Sequence, residues 1–245
     1  MMKSYGLMGN PIIHSLSPLL FQKQFGDAYT YNLFPLENVE DIRLWIHQHP
    51  DLMGINITKP FKESVLPYLD ELSPEAKHIG AVNVIEIQRR SENMVLKGHN
   101  TDFYGFQKSL QAFVKGLISS ALILGTGGAA KAVAFALSHI GIPYKFVSRT
   151  EKENAISYEE LTPEMVHHSP LIINATPLGM STQSEESPPI PYHAIDKHHY
   201  LFDLIYTPFE TRFLYEGKIR GAHIQNGYEM LQYQAEESWK IWGLL

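Results

Sequence analysis

The stretch from Ala121 to Thr150 constrains this chain more than any other. Four apolar residues, Ala121-Leu122-Ile123-Leu124, lead into Gly125-Thr126-Gly127-Gly128-Ala129-Ala130. Small and apolar residues then recur at helical spacing through Leu137. After Gly141 and Pro143 comes a second apolar run, Tyr144-Lys145-Phe146-Val147. Strand, glycine turn, helix and strand in that order make one βαβ unit. Gly125, Gly127 and Ala130 fit G-x-G-x-x-A. The first glycine permits the tight turn, the second lets a diphosphate approach the backbone, and the alanine lets helix and strand pack closely, with the helix N-terminus facing the anion. A plain glycine turn would share the glycines. The legible strand before them and helix after them favour dinucleotide binding.

The second strand ends in Ser148-Arg149-Thr150. Chains of this type that bind NAD place Asp or Glu here, to accept from the ribose 2′-hydroxyl. This tip carries no carboxylate and offers Arg149, with Lys152 close behind and two hydroxyls alongside. That set suits a 2′-phosphate, so the expected cofactor is NADP(H) rather than NAD(H). The plain alternative is an exposed arginine on a loop.

At 245 residues the chain has length for two modest domains, and 44% hydrophobic content gives it material for their cores. A net charge of −6 argues against a nucleic-acid binder, which usually shows a basic face. The absence of cysteine removes disulfides, thiolate metal sites and a Cys nucleophile. No apolar run approaches membrane-spanning length, and the first residues lack a signal peptide's apolar core, so a cytoplasmic location is expected. The 12 histidines, with the pairs His167-His168 and His198-His199, raise a metal-dependent hydrolase. No HExxH or similar spacing accompanies them, so no metal is expected.

Taken in order, Lys3 to Gly9 reads as a first strand. In His14-Ser15-Leu16-Ser17-Pro18, Pro18 suits a first helical position and Ser17 the N-cap before it. Ser15 adds a second hydroxyl, and two hydroxyls beside a helix start make an uncharged receptor for a carboxylate. From these residues alone capping is the favoured reading. Further strands are expected over Tyr29–Phe34, Met53–Ile57 and from Ile79 through Ile85, the last forming a hairpin with Met94–Gly98. An amphipathic helix is expected over Val39–His47. A helix beginning at Phe61 puts Lys62 in its first turn, where the helix dipole repels a cation. A lysine held in such a place is a candidate general acid/base, set against an ordinary solvated lysine. Asp102 starts the helix Phe103–Val114, so a simple N-cap competes with any catalytic role.

Beyond Thr150, Glu151–Ser169 is short and weakly helical. Pro170–Ile173 is a strand ending in Asn174-Ala175-Thr176-Pro177-Leu178-Gly179-Met180, a strand-tip loop of the kind that holds ligands in open α/β sheets. Tyr200–Leu204 and Gly221–Ile224 are strands with a helix near 209–216 between them, and Gln183–Pro191 is the most loop-like segment. A final helix runs from Asn226 past Gln234 to Trp242. The chain is therefore α/β with two domains: 1–101 plus 226–245 for substrate and catalysis, and 102–225 as a Rossmann-type dinucleotide-binding domain. The last helix is expected to pack back on the first domain and to close a cleft between the two.

These signals in this order resemble the shikimate dehydrogenase family over essentially the whole chain. They are Ser15-x-Ser17, Gly54-Ile55-Asn56-Ile57-Thr58-Lys59-Pro60-Phe61-Lys62, Gly80-Ala81-Val82-Asn83, Asn100-Thr101-Asp102, Gly125 to Ala129, Ser148-Arg149-Thr150, Asn174 to Met180, and Gly227 through Met230-Leu231 to Gln234-Ala235. The resemblance implies reversible reduction of 3-dehydroshikimate to shikimate with NADPH, a step of aromatic amino acid biosynthesis. It makes Lys62 and Asp102 the catalytic pair. It turns Ser15 and Ser17 toward the substrate carboxylate and gives Thr58, Asn83, Asn100, Gln234 and Tyr206 to the ring and its substituents. On the cofactor side it gives Gly125, Thr126, Gly127, Gly128 and Ala129 to the diphosphate, and Ser148, Arg149 and Thr150 to the 2′-phosphate end. Thr176 and Met180 line the ribose–nicotinamide path, with Gly227 and Met230 beside the nicotinamide. The implied partner is this small molecule, with no nucleic acid and no membrane, in a monomer or homodimer.

Three features depart from the family pattern. Ser148 stands where Asn is common, Asn226 where Asp is usual, and the segment after Thr150 is short, which trims a helix and opens the adenine side. Two rival readings keep the fold. One is a quinate/shikimate dehydrogenase with relaxed cofactor use, which Arg149 disfavours. The other is a catalytically silent nucleotide-binding regulator, which has no need of both Lys62 and Asp102.

Overall fold

The structure, a computed structural model, describes residues 2–90, 93–150, 154–180 and 185–245. The chain divides into two compact units, one of residues 1–102 with 234–245 and the other of 103–233. The sequence reading assigned residues 226–233 to the first of these. In the structure they belong to the second, where Met230 joins the core.

In the first unit the elements run β1 (Ser4–Gly9), α1 (Ser17–Phe25), β2 (Thr30–Pro35), α2 (Ile42–His47), β3 (Leu52–Ile57), α3 (Phe61–Ser64), β4 (Glu71–Leu72), α4 (Pro74–Ile79), β5 (Val84–Arg90) and β6 (Asn93–His99). They build a six-stranded sheet in the order β2-β1-β3-β5-β6-β4, parallel through β2, β1 and β3 and antiparallel through β5 and β6. β1 and β3 are buried along their length, as parallel strands covered on both faces are, and their residues are mostly apolar. Around Val39 the expected single helix is a 3₁₀ turn, Val39–Asp41, followed by α2. The strand expected from Ile79 is also corrected. Ile79 ends α4, which Ser73 caps by accepting from the Ala76 N–H at 3.2 Å, and Gly80 closes the helix in the left-handed conformation.

An aromatic layer of Tyr5, Phe21, Phe25 and Tyr29 packs with Trp239 and Trp242 from the C-terminal segment. Trp242 stacks on Tyr5 at 4.9 Å between ring centroids, and its indole N–H donates to the Ile85 carbonyl at 3.2 Å. The indole fills the space over Gly54, where any Cβ would collide with it.

Helix α5 (Asp102–Phe113) leads into the second unit, followed by β7 (Ala121–Leu124), α6 (Gly128–His139), β8 (Tyr144–Ser148), β9 (Ala155–Ser157), α7 (Pro163–His167), β10 (Leu171–Asn174), β11 (Tyr200–Asp203), α8 (Arg212–Lys218), β12 (His223–Gln225) and α9 (Tyr228–Ile241). The sheet order is β12-β11-β10-β7-β8-β9, parallel throughout. Numbered from β7 this is 3-2-1-4-5-6 read from the β9 edge, the doubly wound dinucleotide-binding order. The strand order reverses between β7 and β10, where such sheets bind ligands. Among the described residues, the connection between β8 and β10 holds β9 and the five-residue α7. Lys152, the tip of the β5–β6 hairpin and the start of the Gln183–Pro191 loop lie outside the described residues.

Candidate active site

The parallel pairing of β1 with β3 sets Met8 beside Ile57, so the residues that follow both strands leave the sheet at one edge. Backbone bonds tie that edge together: Thr58 N–H to the Met8 carbonyl at 2.9 Å and Asn10 N–H to the Lys59 carbonyl at 3.1 Å. The loop carrying Asn83 joins it through Ile57 N–H to the Asn83 carbonyl and Val82 N–H to the Lys62 carbonyl, both 2.8 Å.

Lys62 lies in the single turn of α3, and its ammonium stands 2.6 Å from Asp102 Oδ2. The helix-dipole objection to a cation in that turn therefore loses its force. Four residues make little macrodipole, and the facing carboxylate more than offsets it. Both side chains are largely buried, with 19% of Lys62 and 8% of Asp102 exposed. An ammonium has three donors, so the pair keeps donors for a ligand oxygen. Asp102 opens α5, but its side chain serves Lys62 and Asn83. Its own N–H donates to Asn100 Oδ1 at 3.0 Å.

Asn83, Asn100 and Gln234 complete a polar cluster. Asn83 Nδ2 lies 3.0 Å from Asp102 Oδ1, 3.0 Å from Thr101 Oγ1 and 3.3 Å from Gln234 Oε1. Asn83 Oδ1 accepts from the Thr101 N–H at 2.7 Å, and Asn100 Nδ2 donates to the Ala81 carbonyl at 3.0 Å. On the loop after β1 the capping reading of Ser17 is corrected. Ser17 is the first helical residue, and it is Ser15 Oγ that accepts its N–H at 3.2 Å. The two hydroxyls also bond each other at 3.2 Å, so they act as a pair.

In the second unit the loops after β7 and β10 flank the sheet's reversal point. Gly125 has φ +103°, and a Cβ there would crowd the Ala175 carbonyl oxygen at 3.2 Å, so only glycine makes this turn. Gly127 precedes α6 with no side-chain cap, and nothing lies within 4 Å of where its Cβ would be. Uncapped N–H groups at the start of a twelve-residue helix, an open cradle in front of them and no acid in the first turn suit a diphosphate. At the end of β8, Ser148 is buried and its hydroxyl accepts the Thr150 N–H at 3.4 Å, while Arg149 and Thr150 are exposed. Arg149 is close enough to Tyr158 for its charge to oppose the effect of burial, which lifts that phenol to about 12. These residues fit NADP(H). Thr176 and Met180 lie on the β10 loop, and Tyr206 follows β11 in this same unit. Gly227 donates to the Ile205 carbonyl at 3.0 Å and has no room for a Cβ, which would strike the Leu204 carbonyl oxygen. Met230 is only 7% exposed and serves the core.

Residues 7–85 match the family model described as the shikimate dehydrogenase substrate binding domain. A relative from Methanococcus maripaludis, named shikimate dehydrogenase (NADP(+)), is 36% identical over 260 residues, covering 98% of this chain and 91% of its own. One from Bacillus cereus with the same name is 34% identical, with 99% and 93% covered. The crystal structure of shikimate 5-dehydrogenase from Thermus thermophilus in complex with NADP(H) and shikimate superposes with a TM-score of 0.87. It is 32% identical, with 100% of this chain and 94% of that one covered. The chain belongs to the shikimate dehydrogenase family.

Polar residues to which the sequence motifs assign no role lie beneath the cluster. Thr101 Oγ1 reaches Asn83, Gln234 and Ser238, the last at 3.2 Å. Asn56 Nδ2 donates to Ser238 Oγ and to the Asn83 carbonyl, and Tyr31 Oη donates to Asn56 Oδ1 at 2.7 Å. The signals were present: Asn56 is a lone polar residue in an apolar strand, and Ser238 sits one helical turn after Gln234. Asn226 has a use for its amide. Oδ1 accepts the Tyr228 N–H at 3.1 Å while Nδ2 donates to the Phe209 carbonyl at 3.0 Å, a bond an aspartate could not make.

Proposed function

We propose that this protein catalyses the NADPH-dependent, reversible reduction of 3-dehydroshikimate to shikimate, with Lys62 and Asp102 as its catalytic pair. The 2.6 Å contact between them carries the reading. When bound, NADP(H) exchanges a hydride with the carbon bearing the reacting oxygen. In the reducing direction, negative charge gathers on that oxygen. Lys62 stabilises the charge and donates a proton to it, and in the oxidising direction it takes the proton back. Asp102 keeps the ammonium aimed and has capacity left to accept from a substrate hydroxyl. Asn83, Asn100, Gln234 and Thr58 offer neutral donors and acceptors to a polyhydroxylated ring, Tyr206 supports the ring, and the Ser15–Ser17 pair receives the carboxylate. Gly125 to Ala129 hold the diphosphate, and Ser148, Arg149 and Thr150 the 2′-phosphate end. Thr176, Met180, Gly227 and Met230 border the nicotinamide.

In this reading residues 1–102 with 234–245 serve the substrate and 103–233 the cofactor. A monomer or homodimer in the cytoplasm, without nucleic-acid or membrane partners, completes it. Among the described residues no helix is long and apolar enough to cross a membrane. The test is growth of the reduced-nicotinamide absorbance with shikimate and with quinate, each offered with NADP⁺ and NAD⁺. Turnover with shikimate and NADP⁺ well above the other three combinations is expected. Equal rates with quinate or NAD⁺ would favour the relaxed quinate/shikimate enzyme, and no turnover in any combination would favour the silent regulator.

A further inference from the structure

Asp203, the last residue of β11, is fully buried. Its carboxyl collects donors from two loops. Oδ1 accepts from Asn174 Nδ2 at 3.1 Å and from the Ile205 N–H at 3.0 Å, and Oδ2 accepts from Thr211 Oγ1 at 2.6 Å.

Each of those donors fixes something further out. With its Nδ2 directed at Asp203 and at the Leu178 carbonyl, Asn174 must present Oδ1 to Thr176. There it accepts both the N–H at 3.0 Å and the hydroxyl at 2.7 Å. Thr176 Oγ1 in turn accepts the Leu178 N–H at 3.3 Å. The Asn174–Met180 loop is thus a chain of bonds whose first link is Asp203. On the other side, Ile205 begins the segment carrying Tyr206, and its carbonyl accepts the Gly227 N–H. Thr211 closes that segment by capping α8 through the Leu214 N–H at 3.3 Å.

We propose that Asp203 is a positioning residue. From beneath the sheet edge it sets the loops of 174–180 and 205–211 in register, and so aligns the nicotinamide end of the cofactor site without touching cofactor or substrate. The inference rests on the function proposed above, because it is that reading which brings the nicotinamide to Thr176 and Met180. A buried carboxyl with three donors is costly to remove, since Asn174, Ile205 and Thr211 would all be left with unmet donors. Asn at this position keeps one oxygen for Asn174 and Ile205 and reverses the third bond, its N–H donating to the Thr211 hydroxyl, so it should keep both loops in place.

The experiment measures shikimate oxidation together with calorimetric affinities for NADP⁺ and for adenosine 2′,5′-bisphosphate, which lacks the nicotinamide half. Asp203→Ala is expected to lower kcat at least tenfold and to weaken NADP⁺ at least fivefold more than the bisphosphate. Asp203→Asn is expected to return both within about threefold. Merely structural damage would weaken both ligands alike and would not discriminate the two halves of the cofactor. If Asp203→Ala loses the bisphosphate altogether, the same measurements on Thr211→Val decide. There kcat should fall three- to tenfold with bisphosphate affinity kept. Parental kcat and a parental affinity ratio, in Asp203→Ala or in that second variant, would overturn the inference. An inactive parent enzyme that still binds NADP⁺ would instead count against the proposed function, and the affinity ratio would continue to test Asp203.

Discussion

Lys62 Nζ and Asp102 Oδ2 stand 2.6 Å apart at the meeting of a one-turn helix and the start of a twelve-residue one, and Asn83 holds the other carboxylate oxygen. The arrangement keeps an ammonium in a nearly dry site with its charge partnered and its orientation fixed. A group that must hand a proton to a developing alkoxide needs both.

Lys62→Ala should remove most turnover, with kcat down by about 10²–10⁴-fold, the usual worth of a positioned acid. Shikimate should still bind, since the neutral ligands and the Ser15–Ser17 pair remain. Steady-state kinetics with a separate calorimetric titration of shikimate check this, and a near-normal kcat would discard the assigned role.

Arg149→Ala should raise the KM for NADP⁺ by roughly tenfold or more, in line with the loss of a charged hydrogen bond of ~1.5–3 kcal/mol. The KM for NAD⁺, which lacks the 2′-phosphate, should barely move. Parallel changes for both dinucleotides would refute the 2′-phosphate assignment.

Thr101→Val should act from below the site. Thr101 is 1% exposed, and losing its hydroxyl removes one hydrogen bond each from Asn83 and Ser238, which keep their other partners, a cost of about 0.5–1.5 kcal/mol per bond. Thermal unfolding should come earlier and the KM for shikimate should rise, with the KM for NADP⁺ unchanged. A variant with parental melting and parental KM for shikimate would show the network to be dispensable.

Burial lifts the Asp203 carboxyl from 3.8 to about 7, against the lowering effect of its bonds to Thr211, Ile205 and Asn174. The folded protein therefore holds this proton more tightly than the unfolded chain does. The contribution to stability is whole below pH 4 and is lost as pH rises to about 7. At ~1.4 kcal/mol for each pH unit, the loss is on the order of 4 kcal/mol. Denaturant titrations of parent and Asp203→Asn between pH 4 and 8 should show the parent losing ground to the variant across that window. A difference that stays flat with pH would rule out this titration.

The nucleotide-binding half was legible because its signals are local. Gly125 and Gly127 follow an apolar run and precede a helical one, and the short connections between parallel strands leave few topologies. The boundary at 233/234 was not legible, because a helix shared by two units carries no break in its pattern, and Met230 and Trp239 look alike as apolar residues. Helix α4 was hidden in Pro74–Ile79, too short for periodicity to register, although Ser73-Pro74 is a start signal. The polar layer of Asn56, Thr101 and Ser238 depends on contacts between residues up to 182 positions apart, and no spacing rule reaches that far. Ser17 suits a cap by its type, but the helix starts one residue earlier than a Ser17 cap would require, with Leu16 at the cap position, and only backbone geometry decides that.

The bare backbone at Gly54 and the bulky ring of Trp242 amount to one decision written at two distant places in the chain. A cousin that carries a methyl group at the first place must give up the indole at the second, and with it the tether to the Ile85 carbonyl. Changes at these two sites should therefore travel together when related chains are compared, and engineering either alone invites failure.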